Sequence, residues 1–85
     1  MIRVLVVDDH ELVRSGITRM LADNPDIEVI GQAPSGEDAI DFVRQERPDI
    51  VLMDIRMPGI GGLEATRRIL RIDDSIRVIV VTACA

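Results

Sequence analysis

The chain has 85 residues, 47% of them hydrophobic but only 1% aromatic, and a formal net charge of -5. Those values describe one small domain with an aliphatic core, and the acidic balance argues against nucleic-acid binding by this segment, because phosphate backbones select basic surfaces. No apolar run approaches the ~20 residues that span a bilayer, and the opening MIRVLVVDD lacks the long apolar core of a signal peptide. The lone Cys84 cannot close an internal disulfide and reads as a small buried hydrophobe. A cytoplasmic protein without a membrane partner is expected.

In chain order, short β-branched runs alternate with helical patterns. Val4–Val7 reads as a first strand. Val13, Ile17, Met20 and Leu21 then share one face of a helix that ends by Asn24-Pro25. Ile27–Ile30 is a second strand. Ser35, with Asp38 three residues on, opens a second helix in the manner of a capping box, and Ala39, Ile40 and Val43 form its apolar face before Pro48. Ile50–Met53 is a third strand. Gly59, Gly61 and Gly62 precede a third helix marked by Leu63, Thr66, Ile69 and Leu70, and Val78–Val81 is a fourth strand. Near-continuous apolar strands separated by helices predict an α/β doubly wound parallel sheet with right-handed crossovers. Sites in such sheets lie beyond the carboxyl ends of the strands, where the strand order reverses.

Two strands end there in acids: Asp8-Asp9 after the first, Asp54 after the third. Taken singly, Asp8 and Asp9 could turn the chain and cap the first helix, and Asp54 could be a turn residue. Taken together they repel: at ~4 Å and an effective dielectric of ~20, one pair costs on the order of 4 kcal/mol before screening. A hard divalent cation relieves that cost, and magnesium is the natural candidate. Met57-Pro58-Gly59 reads as a turn that aims Asp54. His10, a single histidine at a helix start, reads as structural rather than as a ligand or proton carrier. Arg67, Arg68 and Arg71 read as a solvated helix face.

The segments VLVVDDHELVRSGI, DIVLMDIRMPGIGGLEAT and IRVIVVTA resemble the receiver domain of bacterial two-component response regulators, over essentially residues 1–85. Within that family the resemblance is to the GacA/UvrY-like group of the NarL/FixJ subfamily. It implies a flavodoxin-like, CheY-like fold of strand order 2-1-3-4 with the fifth strand missing. It implies that Asp54 accepts a phosphoryl group from a sensor histidine kinase with Mg2+. Asp8 and Asp9 match the acidic pair that holds the metal, Asp9 directly and Asp8 partly through water, and Arg56 the position whose backbone carbonyl is a ligand. Thr82 matches the hydroxyl residue that senses the phosphoryl group, with Ala83 the small residue after it. In such a regulator, transcription would be controlled through a helix-turn-helix domain absent from this chain, and the module itself is not an enzyme.

The sequence departs from the family in containing no lysine, so the lysine that follows the fifth strand is absent. The aromatic switch residue of that strand and the surface used for dimerisation and output are absent too. The end at VTACA is expected to reflect a truncated piece of a longer regulator. The alternatives are an inert assembly fragment of such a receiver and, more remotely, an aspartyl phosphatase of the haloacid-dehalogenase kind, which would carry an acid where Arg56 stands. An exposed fourth strand predicts a homodimer or swapped assembly.

Overall fold

A computed structural model describes residues 1–81 of the chain. The expectations for Thr82, Ala83 and Cys84 lie outside the described residues. The elements follow one another as β1 (Ile2–Val7), α1 (Glu11–Ala22), β2 (Ile27–Ala33), α2 (Gly36–Glu46), β3 (Ile50–Asp54), α3 (Gly61–Ile72) and β4 (Arg77–Val81). All four strands are parallel, in the order β2-β1-β3-β4. The chain steps one way from β1 to β2 and the other way from β2 through β3 to β4. With right-handed crossovers, that reversal puts α1 on one face of the sheet and α2 with α3 on the other.

The α2/α3 face is the core. Leu5, Val7, Val51 and Met53 point into it from β1 and β3, and Ala39, Ile40 and Val43 from α2 and Ala65 and Ile69 from α3 close over them. Ser35 begins α2 as its sequence predicts, its Oγ accepting the Asp38 N–H at 3.1 Å. At the other end Arg47 takes a left-handed conformation, with φ 48°, and its N–H reaches the Val43 carbonyl.

Two helix faces differ from expectation. The α1 stripe of Val13, Ile17, Met20 and Leu21 buries none of its residues fully, and Met20 is 75% exposed. Among the described residues α1 packs mainly on β2 and β1, so cover on its face fades across the sheet. Val6 is fully buried, its register partner Leu52 is half-buried, and Ile79 beyond it is 48% exposed. In α3 the buried face is Gly62, Ala65 and Ile69, whereas Leu63 and Leu70 point to solvent. The cause is closeness: a Cβ on Gly62 would collide with the Asp54 carbonyl oxygen and lie 2.6 Å from Ile55 Cα. α3 therefore starts against the end of β3, and only small residues fit on the side that touches it.

Candidate functional site

The strand order reverses between β1 and β3, and the register sets their carboxyl ends level, with Val7 opposite Met53. One residue further on, Asp8 leaves β1 beside Asp54, the last residue of β3. Both are buried, each 7% exposed. The two acids use the same local device. Asp8 Oδ1 accepts the His10 N–H at 2.8 Å and Asp54 Oδ1 accepts the Arg56 N–H at 3.1 Å, each closing a turn two residues long. One oxygen of each carboxylate is thereby fixed as its strand ends, so both side chains are held in place without a cation. Asp8 and Asp9 do not cap α1, since the residue at that position is His10 and its side chain makes no capping hydrogen bond.

One donor atom each from Asp8, Asp9, His10 and Asp54 lies within 4.8 Å of the others. Asp9 Oδ1 is buried with no hydrogen-bond partner among the described residues; His10 Nδ1 lies 2.9 Å from it and is hydrogen-bonded to Asp8 Oδ1 at 3.3 Å. No arginine pairs with any of the three carboxylates among the described residues. The nearest guanidinium, that of Arg14, donates instead to the Asp8 backbone carbonyl at 2.7 Å. Converging carboxylates, two of them buried and one with an orphaned oxygen, form an acidic cluster that can bind a metal, and an all-oxygen donor set suits a hard divalent ion.

The remaining sequence expectations divide. Asp8, Asp9 and Asp54 are brought together. Arg56 is exposed and follows Asp54 by two residues, bonded to it through its N–H. His10, read from the sequence as structural, stands at the mouth of the cluster with a 70% exposed side chain; its adjacency to the acidic pair was the available signal. Arg67 and Arg68 do face solvent, paired to Glu64 at 3.3 and 3.0 Å. The Arg68 hydrogen bond holds the Glu64 carboxyl below its ordinary value. The turn after Asp54 takes its shape from Gly59 at φ 81°, where a Cβ would lie 2.7 Å from a Glu37 carboxylate oxygen at the start of α2. Sequence reasoning read Gly62 only as a helix-start signal, and it is what lets α3 approach the Asp54 backbone.

Known proteins resemble this chain in sequence and in fold. The chain is 63% identical to the response regulator GacA of Pseudomonas aeruginosa over 84 residues, which is 99% of this chain and 39% of that protein. It is 56% identical to the response regulator UvrY of Escherichia coli, covering 96% of this chain and 38% of the relative. The chain thus spans about two-fifths of the length of these relatives. Among solved structures, a LuxR-family two-component response regulator from Aurantimonas superposes with a TM-score of 0.91 at 38% identity, over 98% of this chain and 59% of the other. A chain of the CheX-CheY-BeF3-Mg2+ complex from Borrelia burgdorferi matches with a TM-score of 0.90 at 29% identity, over 98% of this chain and 63% of the other. The response regulator receiver domain matches residues 4–85, from the first strand through the acidic site and the fourth strand, and the chain belongs to that family.

Proposed function

We propose that this chain is the phosphoacceptor module of a two-component response regulator, with Asp54 as acceptor and Asp8 and Asp9 as the residues that hold Mg2+. One observation carries the reading: three carboxylates converge at the reversal of strand order, two of them buried and none paired with an arginine among the described residues. Phosphoryl transfer asks a protein for in-line positioning and charge neutralisation rather than for covalent chemistry of its own. The Asp54 oxygen not held by the Arg56 N–H is the nucleophile. It attacks the phosphorus of a sensor kinase phosphohistidine, the P–N bond breaks as the P–O bond forms, and an acyl phosphate results. Mg2+, when bound, supplies positive charge to the phosphoryl oxygens. Asp9 and the Arg56 backbone carbonyl complete its protein ligands, Asp8 acts partly through water, and Thr82 senses the phosphoryl group.

The same module, cytoplasmic and not itself an enzyme, serves a longer regulator that acts on DNA through a helix-turn-helix domain outside this chain. The match to GacA and UvrY over about two-fifths of their length supports that reading. A second reading, an assembly fragment, is favoured by β4, whose Ile79, Val80 and Val81 are each at least 40% exposed. Acetyl phosphate with magnesium separates the two. Intact mass should show one phosphoryl group added, slowly because the chain has no lysine to balance transition-state charge. Labelling that persists in Asp54→Asn refutes the assignment, and a chain that stays unlabelled is the inert fragment.

A further inference from the structure

The three acids of the site are not held alike. Asp8 and Asp54 each give one oxygen to the N–H two residues on. Asp9 has no such bond: its Oδ1 is buried without a partner among the described residues, and the His10 ring beside it is hydrogen-bonded to Asp8. What fixes Asp9 therefore acts through its main chain. The peptide that joins Asp8 to Asp9 leaves the sheet at this point. The Asp8 N–H makes the last rung to β2, on the Ala33 carbonyl at 3.1 Å. β2 ends at Ala33, and Pro34 after it has no N–H to offer. The Asp8 carbonyl is taken up from α1 instead, where Arg14 Nη1 donates to it at 2.7 Å.

Any donor would satisfy a part-buried carbonyl. This one is a guanidinium whose own backbone is fixed in the first turn of α1, the Arg14 N–H meeting the His10 carbonyl at 3.0 Å. Its Nε is buried without a partner, and it pairs with no carboxylate among the described residues. The side chain is thus committed to one main-chain atom behind the acids, and it leaves their oxygens to a cation. We propose that Arg14 is a positioning residue of the cation site. It holds the Asp8–Asp9 peptide plane, and through that plane it sets where the Asp9 carboxylate stands. Groups that orient the ligands of a metal ion govern its affinity although they never touch it. The inference rests on the reading of Asp8, Asp9 and Asp54 as a cation site and adds a residue outside the acidic cluster.

The test compares Arg14→Met, which keeps the apolar stem without the donor, with Arg14→Lys, which keeps both reach and charge. Arg14→Gln, two bonds shorter than arginine, replaces Arg14→Met if that variant does not fold. Magnesium affinity is read by calorimetry, and the Asp9 amide 15N signal is read in the magnesium-free chain. Loss of the Arg14 charge alone would tighten cation binding by removing a repulsion, so weaker binding reports lost position. Arg14→Met should bind magnesium about tenfold more weakly and shift the Asp9 amide, and Arg14→Lys should recover most of the affinity. Wild-type affinity in Arg14→Met, an unmoved Asp9 amide, or equal losses in both variants overturns the proposal. Asp54→Asn tells the two levels apart. If it leaves magnesium binding intact, the cation-site reading itself fails. If magnesium depends on Asp54 and ignores Arg14, the positioning role alone fails.

Discussion

At the scale of single residues, a carboxylate's role follows from what holds it. Asp54 and Asp8 each give one oxygen to a backbone N–H and keep the rest of the carboxylate for the site. Asp73 gives everything to structure: it accepts the Ser75 hydroxyl at 2.6 Å and the Ser75 N–H at 3.0 Å, and Arg47 lies 3.6 Å away. The Ser75 hydroxyl contributes most to holding the Asp73 carboxyl below its ordinary 3.8, helped by the Ser75 N–H and Arg47. A lowered folded value means that the stabilisation is fully present above about 3.8 and is lost as pH falls through the lowered value. An NMR titration of the Asp73 carboxyl should give a midpoint below 3.8 that Ser75→Ala moves upward, and a midpoint indifferent to Ser75 contradicts the assignment. The acidic site was legible in the sequence because each acid directly follows an apolar strand. Three features were not legible, because they depend on three-dimensional approach: the ring of His10 over the cluster, the guanidinium of Arg14 on the Asp8 carbonyl, and the close fit at Gly62.

At the scale of elements, strands were easier to read than helix faces. Ile50–Met53 was bounded almost as observed, since a parallel strand covered on both sides is apolar throughout and needs no choice of face. Helices require that choice, and of the apolar residues that mark α3 only Ile69 is fully buried, because the rest of its contact is made by Gly62 and Ala65, which carry little hydrophobic signal. α1 has an apolar stripe by spacing, but only the β1 and β2 half of its sheet face lies beneath it. Two glycines test this view with one substitution. Gly62→Ala forces α3 off the end of β3 and should cost about 1–3 kcal/mol, as overpacking does. Gly16→Ala, in mid α1 with nothing within 4 Å of the added carbon, should stabilise by about 0.4–1 kcal/mol. Urea unfolding of both variants measures the pair, and shifts of the same sign contradict the packing described here.

At the scale of the whole molecule, strand order does most of the positioning: reversal between β1 and β3 places the acids side by side, and no long loop is needed. The same order leaves β4 outermost among the described residues, with Val78–Val81 apolar and without proline or lysine. Unprotected edges of that kind recruit further strands, so the 85-residue chain is predicted to dimerise through β4. Sedimentation at micromolar concentration should show the dimer and Val80→Lys should dissolve it; a dimer indifferent to that change is held elsewhere. The fold class was legible because alternation of strand and helix leaves few topologies, and the strand order followed from the resemblance to receiver domains, whereas the thin cover over the α1 face depends on which elements lie next to one another. The central claim, that folding forces three carboxylates together and a divalent cation relieves them, is tested most directly by thermal melts with and without millimolar magnesium. The account predicts that magnesium raises the melting temperature of the wild-type chain and raises that of Asp54→Asn much less; a folded wild-type chain whose melting temperature does not respond to magnesium would contradict it.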